Sequence, residues 1–460
     1  ILPTYFLHIL FSDYLIKHKR TVYAGADLAR ILIYVYLYIK RYIQETKYFN
    51  RHLKGYLNMI TIKELYRIGY GPSSSHTMGP HFASEIFLQE HPDAKKIEVT
   101  LYGSLAATGR GHLTDVAILN TLEPHAEVEI VWQPKIFLPF HPNGMKFRAM
   151  DENGNTTDEW TVYSVGGGAL AEEGEPKHKP DDIYDMDHMS DILRWCRRTG
   201  YSYWEYVEKC EGKEIWDYLR EVWQTMRESV ERGLDAEGVL PGPLNLARKA
   251  AAYHIKATGY TGSLHSRGLV FAYALAVCEE NAAGGKIVTA PTCGSCGVLP
   301  GTLYHLWKSR GFSEMRILRA LATAGLVGNV AKHTASISGA EAGCQAEVGV
   351  ACAMAAAAAC QLFGGSQAQI EYAAEMGLEH HLGMTCDPVC GMVQIPCIER
   401  NAYAAARAMD CNIYATFTDG MHRVSYDKAL AVMKQTGHDL PSLYKETSEG
   451  GLAKDYKQME

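Results

Sequence analysis

Several common signatures are missing from this 460-residue chain. No methionine occurs before position 59, and no basic segment leads into an apolar stretch with a small-residue cleavage site, so a secretory signal is not expected. The longest apolar run of the first 58 residues, 31–39, is nine residues long, well short of the ~20 that a bilayer span requires. No membrane partner is therefore expected. Basic excess is also absent: the net charge of −7 argues against a nucleic-acid partner, which favours a basic face. No G-x-S-x-G elbow surrounds the serines, and no Gly-Lys-Ser/Thr completes a phosphate loop. A Ser-x-Lys setting of the pyridoxal-dependent dehydratases is missing too. These gaps disfavour a serine hydrolase, a P-loop nucleotidase and a pyridoxal phosphate enzyme.

What is present begins with an N-terminal segment unlike the rest. Residues 1–58 hold nine of the 28 tyrosines and nine Lys/Arg against three Asp/Glu, a local charge of +6 that leaves −13 elsewhere. Met59 and the residues after it open like an ordinary start with a capped helix. We read 1–58 as a non-native extension, with a membrane-surface helix as the alternative. Twelve cysteines without a secretory signal are expected to be reduced thiols in a cytoplasmic protein, where clustered cysteine more often serves a metal or catalysis than a disulfide.

The remaining length suits two or three domains at roughly 150 residues each. Residues 97–102 and 127–132 alternate as half-buried strands, and the segment from Gly103 to His112 reads as a tight turn into a helix. His141-Pro142-Asn143-Gly144 is a turn before another strand, giving an α+β N-terminal domain over 59–215. From residue 186 to about 233 the pattern is amphipathic helix with Trp195, Tyr203, Trp204, Trp216, Tyr218 and Trp223, more consistent with packing than with a ligand cage. An all-α catalytic domain is expected over 230–455. Residues 341–363 form its small-residue central helix, Gly364-Gly365 ends that helix, and the tail from Thr447 reads as polar and frayed.

Three thiols in this half stand apart. Cys344 heads the central helix beside Gly343, where the positive end of the helix would favour a thiolate. Cys386 and Cys397 follow at 42 and 11 residues on proline-interrupted backbone, which can aim side chains at a cluster. Cys352 and Cys360 lie about 80° and 160° around the helix from Cys344 and read as structural. The three thiols could hold an iron–sulfur cluster with one iron open. They could also be small buried hydrophobes, as free cysteines often are. Cys293-Gly294-Ser295-Cys296 is a lone CxxC, weak grounds for zinc.

The second constellation is Gly71-Pro72-Ser73-Ser74-Ser75-His76-Thr77-Met78-Gly79-Pro80. Its hydroxyls and loop-to-helix setting offer donors to a small anion such as a carboxylate; an N-cap loop with a surface histidine is the plainer alternative. His112 follows a second glycine-rich turn and precedes Thr114-Asp115, which could orient it. His76 and His112 together make acid/base candidates.

These stretches, with Gly103-Ser104-Leu105-Ala106, residues 109–115, 141–145, 289–292, 341–348 and 386–401, resemble the iron–sulfur L-serine dehydratases (L-serine ammonia-lyases) in their single-chain form. The resemblance covers nearly all of 59–455. It implies an α+β domain followed by an all-helical domain holding a [4Fe-4S] cluster on Cys344, Cys386 and Cys397. It places Ser73, Ser74, Ser75, Thr77 and Ser104 at the substrate, with His112 and His76 as catalytic groups. Two departures stand out. Cys390 replaces a common glycine, and Cys293 to Cys296 replaces an Asn-Gly-Ala-Ala-like run. Some relatives end in a cysteine that caps the fourth iron; here the last residues are Lys457-Gln458-Met459-Glu460, leaving water, substrate or Cys390 for that place.

The reaction implied is conversion of L-serine to pyruvate and ammonia, a step of serine catabolism that feeds gluconeogenesis, by a homodimer. An open iron would act as Lewis acid on the β-hydroxyl while His112, favoured over His76, takes the α-proton. Another Fe–S hydro-lyase acting on a hydroxy acid is the alternative enzyme. A non-catalytic serine-sensing module is the alternative of a different class.

Overall fold

The computed structural model describes residues 59–151, 154–174 and 182–456. The expected extension 1–58 lies outside them, as do the last four residues. A short strand β1 (Met59–Ile60) leads to β2 (Ile68–Tyr70) and a wide turn at Ser74–Met78. That turn runs directly into α1 (Gly79–Glu90), whose Pro80 sits where a missing N–H costs nothing.

The strand signals near 97 and 127 are β3 (Lys96–Tyr102) and β4 (Glu127–Gln133). They pair in parallel, so the chain between them must cross over. It does so as two helices, α2 (Gly103–Thr108) and α3 (Thr114–Leu122), broken at residues 109–113, where Leu113 takes a left-handed φ of 57°. β5 (Gly144–Met150), β6 (Thr156–Ser164) and β7 (Leu170–Ala171) complete a five-stranded sheet in the order β4-β3-β5-β6-β7. Ile97, Val99 and Leu101 of β3 point with Met145, Phe147 and Val162 into a core closed by Phe87, Ile118 and Leu122 of the helices.

The strand β8 (Asp182–Tyr184) returns to pair with β1, and helices take over: α4 (Met189–Thr199), α5 (Tyr203–Glu211) and α6 (Ile215–Asp235). Tyr203, Tyr206, Trp223 and the rest of their apolar face join one large core with the helices that follow. These are α7 (Ala250–Thr258), α8 (Gly262–Ala282), α9 (Val298–Arg310) and α10 (Glu314–Thr334), interrupted by β9 (Lys286–Val288), which pairs with β2. Next come α11 (Val350–Leu362), α12 (Gln367–Glu379), α13 (Cys397–Thr416) and α14 (Tyr426–Asp439). The described residues thus comprise a mixed α/β region and many helices.

The central helix is α11, every residue from Val350 to Cys360 buried. The segment 345–362 is apolar enough to cross a membrane by length and composition, yet 89% of it is buried inside the protein, as suits a core helix. It is shorter than the pattern from 341 to 363 suggests. A four-residue turn, Gly339–Ala342, ends at Gly343 with φ 77°, and a wide turn at Gln345–Gly349 follows before α11 starts. A Cβ at Gly343 would sit 2.7 Å from the Met384 carbonyl oxygen, so glycine is required both for the bend and for the approach.

Small residues let α12 lie directly on α11. A Cβ at Gly377 would fall 2.9 Å from the backbone nitrogen and Cα of Ala353. Backbone cannot yield as a side chain can, so Gly377→Ala should destabilise the protein by about 1–3 kcal/mol. Thermal unfolding reads this directly; an unchanged midpoint would contradict the close helix contact.

Candidate active site

A small cavity of about 20 Å³ is lined by Ser73, Ser74, His112, Gly294, Glu347, Cys386, Pro388, Val393, Cys397 and Glu446. These residues come from six separate stretches of sequence. All lie on turns or at element ends, where irregular backbone frees side chains to converge.

The wall made by residues 73–78 is stiffened from within. Ser73 Oγ accepts the His76 amide at 3.0 Å, and the Ser73 amide donates to Thr77 Oγ1 at 3.1 Å. Thr77 in turn donates to the His112 carbonyl at 2.7 Å, while Thr114 donates to the His76 carbonyl at 2.6 Å. The two histidine loops are therefore laced together, with ring centroids 4.5 Å apart. Of the five hydroxyl residues singled out in the sequence, Ser73 and Ser74 face the cavity. Ser75, Thr77 and Ser104 spend their hydroxyls on the scaffold: Ser75 Oγ lies 2.9 Å from His76 Nδ1, and Ser104 Oγ lies 3.3 Å from His76 Nε2.

The histidines differ sharply in their surroundings. His76 Nε2 also meets the Ser104 carbonyl at 3.2 Å and Thr108 Oγ1 at 3.0 Å, so its ring is held on both edges. His112 is fully buried, and among the described residues neither ring nitrogen has a hydrogen-bond partner. Asp115 does not orient it, since that carboxylate accepts the amide of Val116 on an exposed turn. Burial, followed by the neighbouring His76, holds His112 well below its usual pKa. Burial likewise lowers His76 to about 4. Both rings are neutral at physiological pH. An imidazole with a free lone pair at a cavity wall is poised to accept a proton.

Cys344, Cys386 and Cys397 are each buried and near enough to influence one another electrostatically. Cys344 sits between the bend at Gly343 and the wide turn, Cys386 on an extended segment, and Cys397 at the first position of α13. In the thiol alone, burial pushes Cys344 up to about 11, while the Arg400 guanidinium and the Val348 amide act to lower it. Cys386 and Cys397 are raised further by burial and by the neighbouring thiols and carboxyls. Arg400, one helical turn after Cys397, works against this. It hydrogen-bonds Cys344 and is held by the Thr385 carbonyl at 2.6 Å and Asp387 at 3.1 Å. Cys352 donates to the Ala404 carbonyl, and Cys360 is buried with its sulfur beside Gly365. Cys390 is exposed at φ 55° and does not line the cavity. Cys293 packs its sulfur 3.8 Å from that of Met78, and Asn401 clamps the CxxC turn through the Gly294 carbonyl at 2.7 Å and the Gly297 amide at 3.0 Å.

Two carboxyls were not among the sequence candidates. Glu347 accepts from Thr292 at 2.7 Å and lies 3.9 Å from the Cys386 sulfur. Its position inside the Glu341-to-Val348 motif was the only signal. Glu446 is buried, with a carboxylate oxygen 3.8 Å from His76 Nδ1, and burial and Glu347 raise its pKa. It adopts φ 57°, a left-handed conformation that costs a β-carbon residue on the order of 1–3 kcal/mol. Paired backbone bonds hold it there, from the Glu446 amide to the Cys386 carbonyl and from the Cys386 amide to the Tyr444 carbonyl, both 2.8 Å. The tail is not frayed at this point. Ser448 donates to the Pro388 carbonyl, and the Leu452 amide donates to Asp387.

The donor set suits a cluster better than a single ion. Among the described residues, the groups close enough to share one ion, with ligand atoms within 4.8 Å, are His76–His112–Glu446 and Asp187–His188–Asp191. Cys344, Cys386 and Cys397 do not form such a single-ion group. Glycine makes room beside Cys386: a Cβ at Gly339 would fall 2.6 Å from Glu347 Oε2 and 3.1 Å from the Cys386 sulfur. Three soft donors with a guanidinium beside them fit an iron–sulfur group.

The family model for the serine dehydratase alpha chain matches residues 92–453. An L-serine dehydratase of Streptomyces coelicolor is 41% identical over 86% of this chain and 98% of its own length. The L-serine dehydratase of Haemophilus influenzae and L-serine dehydratase 1 of Escherichia coli are each 39% identical over 86% of this chain and 99% of theirs.

Proposed function

The chain belongs to the serine dehydratase family, and we propose that it is an L-serine ammonia-lyase that converts L-serine to pyruvate and ammonia at the cavity between His112 and the three thiols. The observation that carries this reading is the convergence of Cys386, Cys397, His112, Ser73 and Ser74 on one small cavity, with Cys344 beside the other two thiols.

Cys344, Cys386 and Cys397 would hold a [4Fe-4S] cluster, which when bound supplies Lewis acidity toward the β-hydroxyl, a poor leaving group. The chain's own residues do the rest. The Ser73–Ser74 wall and the turn behind it receive the substrate carboxylate and fix its orientation. The neutral His112 takes the α-proton on a free ring nitrogen, and His76, braced by Ser75, Ser104 and Thr108, keeps the His112 loop in place. Arg400 offsets the charge gathered by the thiolates. Burial of the whole group excludes bulk water from the reacting carbon. Loss of the hydroxyl leaves an aminoacrylate, which tautomerises and hydrolyses to pyruvate and ammonia.

The proposal includes a cytoplasmic, homodimeric enzyme of serine catabolism supplying pyruvate to gluconeogenesis. Twelve free thiols support a reducing compartment. Tyr403 and Tyr414, exposed along one face of α13, and the exposed Phe417 just past its end support a contact with a second copy. An α+β domain over 59–215 and a catalytic domain over 230–455 also belong to this reading.

Anaerobically prepared protein given L-serine should release pyruvate and ammonia in equal amounts. Binding of serine without product would instead mark a sensing module, and product from a hydroxy acid alone would mark a different hydro-lyase.

A further inference from the structure

We propose that the Glu446 carboxylate receives the α-ammonium group of the substrate, so that this tail residue makes the site select amino acids over hydroxy acids and simple carboxylates. The inference rests on the serine-cleaving reading above and adds a binding residue to it. In an amino acid, the proton to be removed and the ammonium group are attached to the same carbon. The groups that read them must therefore stand side by side in the protein. Ligand atoms of Glu446, His76 and His112 all lie within 4.8 Å of one another. The ammonium and the α-proton can thus be met from one direction. The carboxylate then faces Ser73 and Ser74, and the β-hydroxyl faces the thiols.

Charge points the same way. The cavity lining contains two carboxyls, Glu347 and Glu446, and no lysine or arginine. The Ala340 amide hydrogen-bonds Glu446, yet burial without a resident cation disfavours its charged form, and a bound ammonium would supply the countercharge. Glu347 suits the role less well, because Thr292 occupies one of its oxygens and the other faces the Cys386 sulfur. Position is fixed as well as charge. The backbone pairing of Glu446 with Cys386, and the Ser104 hydroxyl 3.2 Å from the Glu446 carbonyl, tie the ammonium acceptor to a thiol and to the scaffold of His76.

The test titrates anaerobic holoenzyme by calorimetry with L-alanine, which has ammonium and carboxylate but no leaving group, and with propionate, which has only the carboxylate. Wild type should bind L-alanine more tightly. Glu446→Gln should lose about 10- to 100-fold in L-alanine affinity, the span of a charge-assisted hydrogen bond, with propionate affinity unchanged. KM for L-serine should rise accordingly, with a smaller change in kcat. Unchanged L-alanine affinity overturns the proposal, as does equal loss for both ligands, which a merely structural role would give. Loss in Glu347→Gln with retention in Glu446→Gln overturns it in favour of Glu347. Should Glu446→Gln fail to fold, Glu446→Asp keeps the charge, and a selective loss for L-alanine there supports the assignment. A wild type that makes no pyruvate refutes the serine-cleaving reading separately, because ligand discrimination is measured without turnover.

Discussion

Single replacement of Cys344, Cys386 or Cys397 by alanine should remove the bound iron and sulfide and abolish turnover, while Cys360→Ala should leave both intact. The three residues are carried by separate stretches, and each supplies a thiolate that no neighbour can replace. Cys390, the nearest spare thiol in sequence, is exposed and points to no shared cavity. Cys360 is equally buried but lies on the far side of α11, where Gly365 packs against its sulfur. Burial alone therefore does not distinguish ligand from filler; convergence does. Iron and acid-labile sulfide analysis of the four variants, at matched thermal stability, reads the difference. Equal iron content in all four would refute the choice of ligands.

His112→Ala should lower kcat by about 10²- to 10⁴-fold, the usual contribution of a positioned general base, with little change in KM. The ring makes no hydrogen bond that holds the fold together, so its removal should leave the substrate wall standing. His76→Ala should behave differently. Its ring joins Ser75, Ser104 and Thr108, and its loss should disturb binding along with turnover. Steady-state kinetics separates the two patterns. Retained turnover in His112→Ala would transfer the base to His76.

Much of this was legible in the sequence because the signals are local. Period-two patterning marks β3 and β4, and proline-broken backbone marks the thiol-bearing stretch around Cys386 and Cys397. The 100° rotation per residue separates Cys360 from Cys344. What escaped depended on long-range contacts. Pairing of β2 with β9, more than 200 residues apart, has no local signature. The Gly343 bend looked like part of a continuous helix because its neighbours are good helix formers. Its need arises from the Met384 carbonyl pressing on it. Glu446 was hidden by a polar tail whose composition suggests fraying, although its backbone is pinned to Cys386. Burial of Cys344 is likewise a property that emerges only once the surrounding helices are in place.

The central claim, that serine cleavage depends on a cluster held by Cys344, Cys386 and Cys397, is tested most directly by following one anaerobic sample as air is admitted. Broad visible iron–sulfur absorbance and pyruvate formation from L-serine should decline together, with the same time course. Colourless, iron-free protein that still forms pyruvate at full rate would contradict the account.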